Sequence, residues 1–489
     1  MPLPRRQVLV IGSLAIAFLV SVSAPSSFAG TKKARKPNFV FFLIDDMGWT
    51  DAKCYGSSFY HTPNIDKLAR SGVRFTNGYA ACPVCSPTRL SIMTGKYPAR
   101  LDATNYFTGR RRGKLLPAEY RNHMPLSEVT LAEALKASGY ATGFFGKWHL
   151  GGEGFEPTKQ GFDVNVGGHV RGSPRSYFSP YRNPYLKDGP KGEHLADRLA
   201  TEAMDFITKH SDEPFLVYLS FYSVHTPLQA KPKLIQKYKG KQKLLPKSKL
   251  ATGLPRFGKE GKNKLRQVQD HAIYAGMVET MDANIGRVLD HLEKLNLDDN
   301  TVVIFTSDNG GLCTSEGWPT SNLPLRAGKG WLYEGGVRVP FIIRWPGNAP
   351  PSRTCEVPVI STDFYPTMLE MAGLRQRPKQ HTDGVSLVNL LRGRAKDIER
   401  PLYWHYPHYS NQGGTPGSSV RLGDYVLIEF FEDKHVELYN IKKDLGQKHD
   451  LAKKMSDRAA EMRTMLHRWR QSVDANLPRP NPNWKKKRN

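Results

Sequence analysis

Between residues 85 and 95 the chain reads Cys85-Ser86-Pro87-Thr88-Arg89, then Thr94-Gly95 five residues on. Ser86 as an N-cap and Pro87 as the first helical residue predict a helix closed near Gly95. Cys85 then lies just before a helix N-terminus, where backbone N–H groups and the helix dipole favour an anion. Arg89, one turn in, can fold back to the same anion as a bidentate donor. The segment reads as a nucleophile beside an oxyanion site, with a buried cysteine that merely precedes a helix as the ordinary alternative. Two other clusters, Asp45-Asp46 and Asp308-Asn309, offer oxygen ligands. Such a set suits a hard cation, Ca2+ or Mg2+, and not zinc, although an isolated Asp pair more often caps a turn or helix. Lys147, His149, His225 and Lys329 add groups able to hold an anion or move a proton; taken singly, each would more often be a surface or core partner.

The elements around these residues explain how they meet. Asn38–Ile44 (NFVFFLI) is a near-continuous apolar run, the mark of a strand buried on both faces, and it ends at Asp45. Tyr140–Phe145 runs into Lys147 and His149, Phe215–Phe221 into His225, and Thr301–Thr306 into Asp308. Helices are predicted from Pro63 to Gly72, Ser127 to Ser138, His194 to Lys209 and Arg266 to Leu295. The alternation predicts an α/β fold with a large, mixed, mostly parallel sheet flanked by helices, whose active crevice lies beyond the strands' carboxyl ends. After about Leu374 short strands follow (402–406, 419–422, 425–431, 435–441), then a helix over 459–473. The expected organisation is a signal peptide over 1–29, a catalytic α/β domain over 30–375, an α+β subdomain over 376–475 and a basic, frayed tail over 476–489.

Together these motifs resemble the type I sulfatases of the alkaline phosphatase superfamily. The resemblance rests on Cys85-Ser86-Pro87-Thr88-Arg89 with Thr94-Gly95, on Asp45-Asp46, Thr62-Pro63-Asn64-Ile65-Asp66, Gly146-Lys147-Trp148-His149-Leu150-Gly151 and His225-Thr226-Pro227. It continues with Asp308-Asn309-Gly310-Gly311, Gly328-Lys329-Gly330 and Glu334-Gly335-Gly336-Val337-Arg338-Val339-Pro340, and so covers nearly the whole chain after residue 29. It implies an alkaline phosphatase-like fold and hydrolysis of sulfate esters. It also implies that a maturation enzyme oxidises Cys85 to formylglycine, whose hydrate attacks sulfur in line; alcohol leaves first and sulfate second. Ca2+ rather than Mg2+ is the implied metal, held by Asp45, Asp46, Asp308, Asn309 and modified Cys85. Arg89 and Lys147 would hold the hydrate and the sulfate, and His149 would act as base. His225 and Lys329 would bind substrate near the ester oxygen, one of them protonating the leaving alcohol. A phosphodiesterase or phosphonate hydrolase on the same scaffold, and an inactive polyanion-binding homologue, are the alternatives.

Composition bounds the rest. The 489 residues are 39% hydrophobic and 24% charged, which excludes collagen-like, coiled-coil and wholly disordered classes. Arg5-Arg6, an apolar stretch over Val8–Val22 and Ser27-Phe28-Ala29 read as an export signal cleaved after Ala29, giving a periplasmic or extracellular protein with no stable membrane insertion. The net charge of +26 is concentrated between Lys231 and Arg266, where thirteen Lys or Arg face one acidic residue, Glu260. That stretch is either a solvated loop or a collar for a polyanion; with no nucleic-acid module, a sulfated glycan is the favoured partner. Cys82 and Cys85 form a C-x-x-C pair, but thiol redox chemistry leaves both Asp clusters unexplained. A Cys82–Cys313 disulfide is an expectation of geometry alone. Aromatics over 404–409 and 177–185 are either sugar-binding or core.

Overall fold

The computed structural model describes residues 35–245, 250–256 and 259–484. The expected signal peptide lies outside them. From Lys36 onward the chain is one compact unit. The central sheet contains β1 (Asn38–Ile44), β2 (Val73–Phe75), β3 (Ala141–Gly146), β4 (Val164–Val166), β5 (Phe215–Ser220), β6 (Thr301–Ser307), β7 (Phe341–Arg344) and β8 (Arg353–Cys355). Their order is β8-β2-β7-β6-β1-β5-β3-β4. The run β6-β1-β5-β3-β4 is parallel, and β7 is antiparallel to both β6 and β2.

Strand alternation divides the core. Val40, Phe42 and Ile44 point to one face of β1, and Phe39, Phe41 and Leu43 to the other, all fully buried. Each such burial contributes roughly 1.5–3 kcal/mol. The first face is covered by α1 (Pro63–Ser71), α4 (Leu195–Lys209), α5 (Pro232–Gln242) and α6 (Ala272–Lys294). The second is covered by α2 (Cys85–Thr94), α3 (Leu131–Lys136) and α7 (Phe364–Met371). Two helices are shorter than the sequence suggests. Helix α3 starts only after Thr130, whose hydroxyl accepts from the Glu133 N–H while Glu133 accepts from the Thr130 N–H, a capping box. Helix α6 starts after His271, because Arg266 belongs to a hairpin strand.

Among the described residues the basic run is structured rather than a loop. It forms α5 and then the hairpin Leu250–Arg256/Lys259–Arg266. Lys231 pairs with Asp197 and Lys237 with Glu279, both at 2.7 Å, and Lys241 donates to the Ser58 and Phe59 carbonyls. Part of the positive charge is thus spent on the protein's own surface.

The C-terminal strands β9 (Leu402–Tyr406), β10 (Gly417–Leu422), β11 (Tyr425–Phe430) and β12 (Val436–Asn440) form an antiparallel meander, with α8 (Ser456–Ser472) packed against it. Its core is shared with Tyr79–Val84 just before α2 and with Trp331, Leu332 and Tyr333 beyond Lys329. Of the aromatics singled out, Trp404, Tyr406, Tyr177 and Tyr181 are 2% exposed or less and serve the core, whereas Phe178 and Tyr409 are half-buried and Tyr185 is exposed. The stretch expected to fray is stitched down as far as Trp484, with Arg479–Pro480 paired to Leu115–Leu116 and the Asn481 N–H on the Lys114 carbonyl. All five cysteines are free, so the Cys82–Cys313 pairing is not formed.

Candidate active site

Strand register brings the polar clusters to one level. Ile44 lies opposite Ser307, Leu43 opposite Ser220, and Ser220 opposite Gly146. The next residues, Asp45, Asp308 and Lys147, therefore emerge side by side at the carboxyl ends of β1, β6 and β3. Gly146 is required there. Its φ is +108°, and a Cβ would lie 1.9 Å from the Ser220 carbonyl oxygen, where the Lys147 N–H donates at 2.8 Å.

Cys85 differs from the sequence expectation by one position. It is the first residue of α2 rather than the residue before it. Val84 is the N-cap, with no side-chain cap bond, and Ser86 instead accepts from the Phe107 N–H. Helix α2 closes at Gly95 in the left-handed conformation, as read. Cys85 Sγ lies within 4.8 Å of carboxylate oxygens of both Asp45 and Asp308. Burial pushes its thiol up against the lowering effect of Lys147 and Lys329, so as a thiol it is a poor nucleophile.

Arg89 reaches Asp308 Oδ2 through Nε at 2.8 Å and Nη2 at 2.7 Å, and donates from Nη1 to the Lys147 carbonyl at 2.8 Å and Ser220 Oγ at 2.6 Å. Lys147 Nζ donates to Asp45 Oδ2 at 2.7 Å, and Lys329 Nζ to Asp46 Oδ2 at 2.8 Å. Asn309 Nδ2 donates to Asp46 Oδ1 at 2.8 Å. Three buried carboxylates thus meet three buried cations, the condition under which such charges are tolerated away from water. The pairing is incomplete. Asp45 Oδ1 and Asn309 Oδ1 are buried without a hydrogen bond. Burial, only partly offset by Lys147, raises Asp45 well above the usual carboxylate range. Asp46 is held below that range because Lys329, His225 and Lys147 outweigh its burial. Buried, unpartnered anionic and carbonyl oxygens, beside carboxylates of Asp45 and Asp308 that come within 4.8 Å of each other, fit a hard cation.

The two histidines are neutral. Burial, then Lys147 and Arg89, take His149 well below its ordinary value, and burial with Lys329 takes His225 to about 3. His149 has left-handed backbone, φ +56°, its N–H on the His169 carbonyl, and its Nδ1 buried without a partner. His225 Nδ1 is 2.7 Å from the Thr226 carbonyl, which fixes the hydrogen on Nδ1 and leaves the Nε2 lone pair facing the site, 3.6 Å from Asp46 Oδ2. Lys329 is held above its ordinary value because Asp46, with Cys85 and Asp45, outweighs desolvation. All the sequence-derived candidates therefore share one site. Sequence reasoning missed Ser220, which joins Arg89 to Lys147; its position at the end of an apolar strand was the available signal. It also missed Gly172, which packs on the His149 ring.

This constellation can hold a divalent cation on one side, an anion among Lys147, Lys329 and the helix start, and a proton acceptor at His149. A sulfatase family model matches residues 37–374. The chain belongs to the sulfatase family. A second model, N-sulphoglucosamine sulphohydrolase C-terminal, matches residues 327–472 of this sulfatase. A sulfatase of Formosa agariphila is 32% identical, with 92% of each chain covered. The N-acetylgalactosamine-6-sulfatase of Sus scrofa is 32% identical over 79% of this chain and 72% of its own. The solved structure of Ps i-CgsB in complex with k-i-k-neocarrahexaose matches with a TM-score of 0.75 at 28% identity, covering 93% of this chain and 95% of that one. The protein is a sulfuric ester hydrolase of the type I class with an alkaline phosphatase-like fold. Among the described residues, no helix is long and apolar enough to cross a membrane.

Proposed function

We propose that this sulfatase is an exported enzyme that removes sulfate from sulfated carbohydrates, using Ca2+ and a formylglycine made from Cys85 by a maturation enzyme. The observation that carries the reading is the buried, unpartnered Asp45 Oδ1 and Asn309 Oδ1, together with Cys85 at the start of α2 within 4.8 Å of Asp45 and Asp308 carboxylate oxygens. Asp45, Asp46, Asp308, Asn309 and modified Cys85 would hold the metal, which when bound polarises the sulfate oxygens. The hydrated aldehyde supplies the oxygen nucleophile that a buried thiol does not. Three carboxylates and three cations cancel, so a divalent ion gives the site the positive charge needed to receive a sulfate ester.

The chain's own groups divide the work. Arg89 fixes Asp308 and positions residue 85 through the α2 start. Lys147 and Lys329 bind the sulfate and balance its developing charge. His149, neutral with a free buried nitrogen, accepts a proton as the enzyme-bound sulfate is released. Of the pair near the ester oxygen, Lys329 carries a proton at neutral pH and gives it to the leaving alcohol, while His225 accepts a hydrogen bond at Nε2. Similarity to N-acetylgalactosamine-6-sulfatase and to Ps i-CgsB with its neocarrahexaose supports a carbohydrate substrate, as does the positive charge of the chain.

The test is the mass of the tryptic peptide Phe75–Arg89 from protein made with a formylglycine-generating enzyme, together with sulfate release from sulfated sugars. Replacement of the thiol by an aldehyde, with Ca2+-dependent sulfate release, is the expected result. An unmodified, inactive Cys85 in a host that modifies a control sulfatase would refute the mechanism.

A further inference from the structure

Glu316 stands at the rim of the site and has none of the roles assigned above. Its exposed carboxylate accepts from Gln412 Nε2 at 2.7 Å and from Thr226 Oγ1 at 3.4 Å. Thr226 adjoins His225. Gln412 takes the Trp331 indole N–H on its carbonyl at 3.0 Å, just beyond Lys329. The carboxylate therefore overlies the His225–Lys329 side of the site, within electrostatic reach of buried Lys329.

The loop that carries it is built, not loose. Glu316, Gly317 and Trp318 have φ of +53°, +93° and +49°. Left-handed backbone at two non-glycine residues persists only where the surroundings fix it. Here the Trp318 indole donates to the Lys264 carbonyl at 2.9 Å, the Arg266 N–H to the Cys313 carbonyl at 3.0 Å, and Thr314 Oγ1 to the Gln412 carbonyl at 2.9 Å. Beside Gln412, the Tyr106 phenol donates to Asn411 at 3.2 Å and feels Arg111, Cys85 and Glu316. Tyr106 thus lies within electrostatic reach of both Arg111 and Glu316.

A fixed carboxylate at the entrance of an anion site opposes binding unless the substrate brings a hydrogen-bond donor to it. We propose that Glu316 is a specificity-determining residue that accepts a hydrogen bond from a hydroxyl or amide N–H beside the scissile sulfate and disfavours a sugar bearing a second sulfate there. This rests on the carbohydrate sulfatase reading above.

The test compares wild type, Glu316→Gln and Glu316→Ala on a monosulfated N-acetylhexosamine, its counterpart with a second sulfate on the adjacent hydroxyl, and 4-nitrophenyl sulfate, which lacks a neighbouring donor. A charge-assisted hydrogen bond predicts that the ratio of kcat/KM, monosulfated to disulfated, falls about tenfold or more in both variants, chiefly through KM. An unchanged ratio while 4-nitrophenyl sulfate is still turned over overturns this inference alone. An equal loss on all three substrates marks Glu316 as a prop for its loop and also overturns it. Wild type inactive on all three overturns both this inference and the functional reading.

Discussion

Gly172 offers a sharp test of the role proposed for His149. A Cβ at residue 172 would lie 2.5 Å from His149 Cε1 and 2.9 Å from each ring nitrogen. Carbon contacts settle at about 3.5–4.0 Å, so Gly172→Ala intrudes by about 1 Å. The His149 backbone cannot absorb this, because its N–H is committed to the His169 carbonyl and its φ is already left-handed. The ring must move instead, and a misplacement of about 1 Å costs about 100-fold in rate, or about 2.7 kcal/mol in the barrier. The assay is sulfate release at saturating substrate, with the thermal midpoint as a folding control. If His149 acts after the alcohol has left, steady-state kcat falls while a first-turnover burst of alcohol survives. The double variant Gly172→Ala/His149→Ala should lose little beyond His149→Ala, since the added methyl then has no ring to displace. Additive losses, or a kcat within about threefold of wild type for Gly172→Ala, would refute the reasoning.

Four other outcomes follow from the geometry. Lys147→Met strands the fully buried Asp45 and should cost about 3–5 kcal/mol in chelator, with part recovered on adding Ca2+; paired denaturation curves measure both. Arg89→Lys replaces a two-nitrogen grip on Asp308 by a point charge and should reduce kcat by about 100-fold or more with the fold retained, read by activity and circular dichroism. EDTA should lower the thermal midpoint of the wild type, because it removes an ion that binds only the folded site and leaves Asp45 Oδ1 and Asn309 Oδ1 buried without a partner, and Ca2+ should restore it more fully than Mg2+. His435 is raised to about 9 by Glu437 and Asp433. A raised folded value means that its stabilisation is complete below about pH 6.5 and is lost as pH rises through about 9. The midpoint of His435→Asn should therefore fall less over that window than that of wild type.

The strands of the sheet were legible because burial on both faces writes itself as an unbroken apolar run. Thr301–Ser307 and Phe215–Ser220 lie within a residue of their expected limits. Helix starts were less legible. Apolar spacing before α3 continues into Leu126 and Val129, yet the Thr130–Glu133 box decides where the helix begins. The basic run hid an amphipathic segment in which Tyr238 is fully buried and lysines reach outward. Titratable site residues could be read from their types and their places after strands. Gly172 and Glu316 could not, because what they do depends on a ring and a lip supplied by distant segments.

The shared core beneath the C-terminal meander also sets a deadline in time. Cys85 is 3% exposed, and the residues just before it pack with Trp404, Leu427 and Leu438. An enzyme that modifies Cys85 must reach it while the chain is still open. At a synthesis rate of about 5–20 residues per second, the stretch from Cys85 to Leu438 takes roughly 20–70 s to appear. On the proposal that Cys85 is oxidised, these late strands would act as a closing door, and the yield of active enzyme would be a race between modification and the arrival of β11 and β12.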